Sequence, residues 1–325
     1  MHAWLCKNPV GVDDLVWTEL PTPKPATGEV LVEIRAASLN FPDLLIVQNK
    51  YQHKPPLPFV PGAEYAGIVR ALGLGVHHLQ VGQPVACLGG TGGFATHTLA
   101  PADLCLALPQ GMGFVDAAAF IMTYATSHHA LLDRGQLKVG ETLLVLGAAG
   151  GVGTAAIQIA KAQGATVIAA ASSAQKCALC TNLGADATIN YSQENLRDAI
   201  KLLTQGKGVD LVYDPVGGEL TEAAFRCIAW RGRYLVVGFA AGAIPALPLN
   251  LALLKGAALV GVFWGEFAKR EPEANAAMLQ ELLRWYALGK IKPVIDSTLP
   301  MADLVSAYAR MGSRAVQGKL VLLNG

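Results

Sequence analysis

The sequence predicts an α/β protein built on a doubly wound parallel sheet, and three observations carry that expectation. Strand and helix patterns alternate from Thr142 to Phe263, the signature of parallel strands joined by crossover helices. A glycine-rich turn from Gly147 to Gly153 follows the first of those strands and opens the first helix. The composition is 52% hydrophobic and 15% charged, with 35 glycines in 325 residues, which suits strands buried on both faces and joined by tight turns.

Up to residue 120 the chain reads as β-rich. Strands are expected over Val30–Ala36, Tyr65–Leu72 and Gln83–Leu88, with turns at Pro21–Gly28, Lys54–Gly62 and Gly89–Gly93. No long helical period precedes Asp116–Leu132, a helix with Asp116 expected at its N-cap. Six strands follow: Leu143–Gly147, Thr166–Ala171, Ala187–Asn190, Val209–Asp214, Arg233–Gly238 and Ala257–Phe263. Helices over Gly151–Gln163, Ala174–Leu183, Glu194–Thr204 and Glu219–Ala229 join them. A helix over Pro272–Leu288 comes next, and Pro293–Leu299 and Lys319–Leu323 are expected to rejoin the β-rich part. The layout is a cofactor domain, 123–263, inserted between two pieces of a catalytic domain, 1–122 and 264–325, with the substrate cleft where they meet.

A net charge of +1 leaves no electrostatic footprint for nucleic acid. The start, MHAWLCKNP, lacks the basic and long apolar segments of a secretory signal. Leu249–Gly265 comes nearest to a membrane span, but Lys255 and two glycines interrupt it, and it reads as a turn before a buried strand. A soluble, cytoplasmic protein is expected. Six scattered cysteines fit a reducing compartment. Cys177 and Cys180 form a CxxC, but inside an expected helix and without a second pair, so packing is the reading.

The glycine turn points to a dinucleotide. Its glycines let the backbone turn tightly and approach a pyrophosphate, whose charge sits at a helix N-terminus. Gly150, Gly151, Val152 and Gly153 are the expected contacts. A carboxylate at the end of the second strand would bind the ribose 2′-hydroxyl and select NAD. The chain has Ser172, Ser173 and Lys176 there and no acid, and Tyr191 follows the third strand. Two hydroxyls, an ammonium and a phenol suit a 2′-phosphate, so NADPH is the expected cofactor. A serine-capped helix with a solvated lysine is the competing reading.

Ordered motifs along nearly the whole chain extend this picture. They are SLNFPD (38–43), PFVPGAEYAGIV (58–69), VGQPV (81–85), GAAGGVG (147–153), LGAD (183–186), INY (189–191), YDPVGG (213–218), GRYLVVGF (232–239) and QGKLVL (317–322). In that order they resemble the medium-chain dehydrogenase/reductase superfamily, and within it the zinc-free, zeta-crystallin-like quinone oxidoreductases. The resemblance implies a Rossmann sheet inserted in a GroES-like catalytic domain, and a homodimer with Ala257–Phe263 near its edge. Where the zinc-dependent branch has cysteine and GHE, this chain has Asn40 and Gly62-Ala63-Glu64, and the four-cysteine structural loop is missing. No metal is expected, because thiolate and imidazole ligands are absent at these points. His77/His78 and His128/His129 are adjacent pairs expected to serve surface or packing roles.

Without a Lewis acid the acceptor should already be electron-poor, a quinone or an α,β-unsaturated carbonyl, and its developing oxygen charge needs donors. The resemblance places Asn40 and Tyr51 near nicotinamide and substrate. Both donate, and Tyr51 can supply a proton or serve as an aromatic lid. It also implies cofactor contacts at Thr126, Phe239, Phe263 and Arg314, with backbone alone from Val262, and makes Asp214 a turn residue rather than an acid. An enoyl-thioester (acyl-CoA) reductase, or a protein holding NADPH as a structural or sensing ligand without turnover, are the alternative readings.

Overall fold

The computed structural model describes residues 1–325 and contains two compact units, Met1–Met122 with Pro293–Gly325, and Thr123–Lys292. The first unit starts with an antiparallel ribbon of β1 (His2–Cys6) and β2 (Leu15–Glu19), in which Trp4 faces Trp17. Strand β3 (Glu29–Ser38) alternates its burial, sending Val30, Val32 and Ile34 inward, as a sheet with one face on a core requires. A short helix, α1 (Phe41–Val47), precedes β4 (Glu64–Leu72), β5 (Pro84–Leu88), β6 (His97–Pro101), β7 (Cys105–Ala107) and helix α2 (Phe114–Ala118).

Helix α2 is capped by Gly113, not Asp116, which lies in its first turn. The long helix expected over Asp116–Leu132 is broken into α2, a π-helical turn over Ile121–Ala125, α3 (Thr126–His128) and a second π-helical turn over His129–Arg134. Hydrophobic period alone does not distinguish these windings over runs of three to six residues.

The second unit is the alternating one. Its elements are β8 (Thr142–Val145), α4 (Gly151–Ala162), β9 (Thr166–Ala171), α5 (Ala174–Asn182), β10 (Ala187–Asn190) and α6 (Leu196–Leu203). They continue with β11 (Val209–Asp214), α7 (Leu220–Arg226), β12 (Ile228–Val236), α8 (Asn250–Lys255) and β13 (Ala258–Gly261). All six strands are parallel, in the order β10-β9-β8-β11-β12-β13. The order reverses at β8, so a crevice opens at the carboxyl ends of β8 and β11, where sheets of this type take their ligands.

Two expectations fail here. Leu249–Gly265 contains a helix and an edge strand, not a turn and a buried strand: α8 exposes Leu253 and Leu254, and Leu259 of β13 is half exposed. Residues 264–292 pack in the second unit instead of the catalytic domain. They form α9 (Trp264–Arg270) and α10 (Pro272–Ala287), which the histidine pair fastens to α3 and the π-helical turn after it. His128 lies 3.3 Å from Glu281 and packs on Trp285, while His129 pairs with Asp133 at 2.8 Å and stacks on Phe267. Burial lowers both imidazole pKa values, so these rings act as packing groups with polar edges.

The chain then returns to the first unit as β14 (Ile295–Pro300), α11 (Leu304–Gly312) and β15 (Lys319–Leu323). The seven-stranded sheet runs β14-β15-β3-β4-β5-β7, with β6 also on β3. No helix is long and apolar enough to cross a membrane.

Candidate active site

In the second unit the glycine turn forms a cradle at the end of β8. Gly147 has φ +57°, and a Cβ there would meet Val216 at 2.7 Å. A Cβ on Gly153 would lie 2.5 Å from the Gly147 carbonyl oxygen and 2.7 Å from Ala148. Only glycine therefore lets α4 approach the strand this closely. Gly150 caps the helix, and the first-turn N–H groups of Gly151, Val152 and Gly153 have no intrahelical acceptor. Such a turn is a ready anion site.

At the neighbouring end of β9 the hydroxyl–lysine cluster assembles. Lys176 Nζ donates to Ser172 Oγ at 3.3 Å, and the Lys176 backbone N–H donates to Ser173 Oγ at 3.3 Å. Ser173 is thus the N-cap of α5, and its hydroxyl proton remains a donor. Burial lowers the Lys176 pKa somewhat. Tyr191 follows β10 and bonds the Ala171 carbonyl through its N–H. Asp186, the nearest acid in sequence to Lys176, pairs with Lys161 at 2.7 Å, and Glu194 accepts the Asn190 N–H at 3.0 Å. Asp214 accepts from the N–H groups of Val216 and Gly217, from Tyr234 and from Thr221, which makes it the turn residue expected. Thr126 lies half-buried on α3, and Phe239 and Phe263 are partly exposed.

The first unit holds a different kind of cluster. Asn40, Ser38, Asp43, Glu64 and Lys319 are all buried. Glu64 Oε2 accepts from Ser38 Oγ at 2.8 Å and Asn40 Nδ2 at 3.0 Å, with Lys319 Nζ 3.5 Å away; Oε1 accepts the Met122 N–H at 2.9 Å. Lys319 Nζ donates also to the Leu39 carbonyl, at 2.8 Å, and to Asn40 Oδ1. The Asn40 amide is therefore fixed in one orientation, since a flip would set its NH₂ against an ammonium. One of its N–H groups is committed to Glu64. Asp43 accepts the N–H of Asn40 at 2.8 Å and of Ala63 at 2.9 Å. Burial pushes its carboxyl up to about 7, against the N–H groups and Lys319, which pull it down.

Tyr51 is half-buried against the core of this unit, and burial, followed by the Asp43 charge, raises its phenol pKa. It stays a protonated donor at neutral pH. Arg314 is exposed, with φ +57°, just before β15. Asn40, Tyr51 and Arg314 thus belong to the first unit, and the other expected cofactor residues to the second. Sequence reasoning missed Ser38, Asp43 and Lys319. The available signals were a lysine opening an apolar strand, KLVLL, and an acid three residues after an Asn cap.

Comparisons with known proteins fit this geometry. Residues 26–110 match the family described as alcohol dehydrogenase GroES-like domain, and residues 151–283 the family described as zinc-binding dehydrogenase. The quinone oxidoreductase-like protein 2 homolog of Nematostella vectensis is 34% identical over 323 residues, covering 99% of this chain and 88% of that one. The chain belongs to the quinone oxidoreductase-like family of medium-chain dehydrogenase/reductases. A mycobacterial protein solved in complex with NADPH aligns over 100% of both chains with TM-score 0.93 and 30% identity. A quinone oxidoreductase from Pseudomonas syringae does so with TM-score 0.91 and 30% identity. The GroES-like unit and the Rossmann sheet expected from the motifs are the architecture found.

Within this family the second description raises the question of zinc. The donor set at 40, 63 and 64 does not fit that ion: it consists of an amide, a methyl group and a carboxylate whose oxygens already accept from Ser38, Asn40 and Met122. A divalent cation there would also meet the Lys319 ammonium. No three His, Cys, Asp or Glu side chains converge elsewhere.

Proposed function

We propose that this chain is an NADPH-dependent, zinc-independent reductase of quinones or α,β-unsaturated carbonyl compounds. The observation that carries the reading is the cluster at the end of β9, where Lys176 meets Ser172 beside Ser173 without a carboxylate. Hydrogen bonds to a charged group contribute about 1.5–3 kcal/mol, whereas an exposed lysine alone contributes about 0–1. The cluster as a whole is what selects the 2′-phosphate, with Tyr191 as a further donor.

The first-turn N–H groups of Gly151, Val152 and Gly153 would hold the pyrophosphate, and Thr126, Phe239, Phe263 and Arg314 would complete the cofactor contacts. When bound, NADPH supplies a hydride. Tyr51 donates a hydrogen bond to the acceptor oxygen as negative charge develops there. Asn40, held by Lys319, Glu64 and Ser38, keeps its amide in a fixed direction, and orientation of this kind supplies several kcal/mol without a metal. The acceptor must then be activated by its own conjugation, which leads to quinones and enones. The family's quinone oxidoreductase relatives agree with that class. Work as a homodimer is supported by the exposed apolar residues of edge strand β13 and α8, and a cytoplasmic site by six free cysteines.

The test is NADPH oxidation against quinones, enals, enones and enoyl thioesters, with NADH and a strong chelator as controls. Consumption with quinones or enones, much weaker with NADH and indifferent to the chelator, is expected. Activity lost with the chelator and restored by zinc would overturn the metal-independent mechanism. Tight NADPH binding without consumption over the panel would make the protein a cofactor-holding one.

A further inference from the structure

The spacing of cysteines draws attention to Cys177 and Cys180, but the structure brings together another pair. Cys87 on β5 and Cys105 on β7 lie directly opposite each other in the antiparallel register, with their Sγ atoms 3.4 Å apart. Opposed residues of an antiparallel pair have Cα atoms about 4.5–5.5 Å apart, within the roughly 4.4–6.8 Å that a disulfide spans. The sulfurs therefore need to close only by about 1.4 Å to reach bonding distance. Both strands belong to one sheet of the first unit, so no rearrangement of chain segments is required.

The two thiols are not equivalent. Cys87 is fully buried, and Cys105 is half-buried on β7, the edge strand of the sheet. Cys87 donates its S–H to Cys105 Sγ, while the Cys105 S–H is directed to the Pro101 carbonyl oxygen at 3.5 Å. The hydrogen bond to Cys105, followed by burial, holds the Cys87 thiol well above its ordinary range, so it keeps its proton. One partner is thus accessible, and the other waits beside it. Cys177 and Cys180 are the contrast: both are buried in α5, and burial pushes Cys180 up to about 12.

We propose that Cys87 and Cys105 form a hydroperoxide-reactive dithiol, a site of reversible disulfide formation, in which Cys105 attacks and Cys87 resolves. In the first step the Cys105 thiolate attacks one oxygen of a hydroperoxide. The O–O bond breaks, Cys105 becomes a sulfenic acid, and the leaving oxygen departs with a proton as water or alcohol. In the second step Cys87 sulfur displaces the sulfenic hydroxyl. The S–S bond forms, and the hydroxyl leaves as water with the Cys87 proton. Two thiols are oxidised by two electrons and one peroxide bond is reduced, so the sum balances. A small-molecule dithiol or the cellular thiol pool returns the pair to its reduced form. The disulfide would pin β7 to β5, whose Leu88 pairs with Glu64 of the buried charge cluster.

The test uses the intact protein treated with hydrogen peroxide, then denatured and alkylated, with each cysteine read by peptide mass spectrometry. The expected result is a product lighter by two hydrogens, with Cys87 and Cys105 protected in a linked peptide that dithiothreitol releases. The other four cysteines remain alkylated. Cys87→Ser should trap Cys105 as a sulfenic acid that dimedone labels. Cys105→Ser should slow the loss of the Cys87 thiol by about tenfold or more, because its proton and burial make it a poor nucleophile. Circular dichroism of both variants checks that they are folded. Full alkylation of both residues after peroxide, or conversion of Cys105 to sulfinic acid in the wild-type protein without linkage, would overturn the proposal. So would undiminished oxidation of Cys87 in Cys105→Ser.

Discussion

Two lysines, Lys176 and Lys319, show what burial does to the same side chain. Lys176 is half-buried at the end of β9, with the Ser172 hydroxyl beside it. Lys319 opens β15, is almost fully buried, and has the Leu39 carbonyl, Asn40 Oδ1 and Glu64 around it. The first lies at a strand end and stays partly open to solvent. The second spends its donors on residues about 255 to 280 positions away in sequence, and so fixes where those residues point. A half-buried ammonium at a strand end serves recognition; a fully buried one serves geometry.

The largest expected effect breaks the buried half of that comparison. Lys319→Met leaves Glu64 charged and unpaired, which costs about 3–5 kcal/mol, seen as a lower urea midpoint. Combining it with Glu64→Gln should recover a large part of the loss, because the stranded charge is then removed; purely additive losses would deny the pair its coupling. The half-buried lysine should respond in binding alone. Lys176→Ala is expected to weaken NADPH by about 10- to 150-fold, the equivalent of about 1.5–3 kcal/mol, while leaving NADH affinity and the unfolding midpoint within error. Equal weakening of both dinucleotides would return Lys176 to the role of a solvated surface residue.

Smaller effects sharpen the comparison. Tyr51→Phe removes a hydroxyl and little else, and should lower kcat about tenfold, near 1.4 kcal/mol, at unchanged NADPH affinity. An unchanged turnover would leave Tyr51 as packing. The smallest effect is a pH slope. Asp43 has its carboxyl raised from the ordinary range to about 7 by burial, so between about pH 4 and 7 the folded chain binds a proton that the unfolded chain has released. That contribution is fully present below pH 4 and lost as pH rises through 7. Urea midpoints across this window should decline in the wild type and decline less in Asp43→Asn; parallel curves would assign the slope to other groups.

The two halves also differ in how far they can be read from sequence. The strands of the cofactor sheet are legible because parallel strands buried on both faces are short, unbroken apolar runs between helices, as Val209–Asp214 and Thr166–Ala171 illustrate. The Ser172–Lys176 cluster is legible because its members are four residues apart. The strands β1, β2, β6 and β7 and the helix α1 are only three to seven residues long, too short for a period to emerge. The Lys319 cluster and the Cys87–Cys105 pair are tertiary facts. Nothing local connects residue 40 to 319 or 87 to 105, whereas the cysteine spacing at 177 and 180, read as packing, lies within helix α5.

The contribution of Lys319 to Glu64 also sets an order of events during synthesis. Glu64 leaves the ribosome 255 residues before the cation that neutralises it, an interval of roughly tens of seconds at about 5–20 residues per second. The contiguous Thr123–Lys292 unit is complete before Lys319 exists, whereas the unit built from both ends must hold an unneutralised carboxylate near water until β15 arrives. Nascent chains arrested before residue 319 should therefore be cut by protease first within residues 1–122. Emergence of β15 becomes the moment at which that half acquires its resistance.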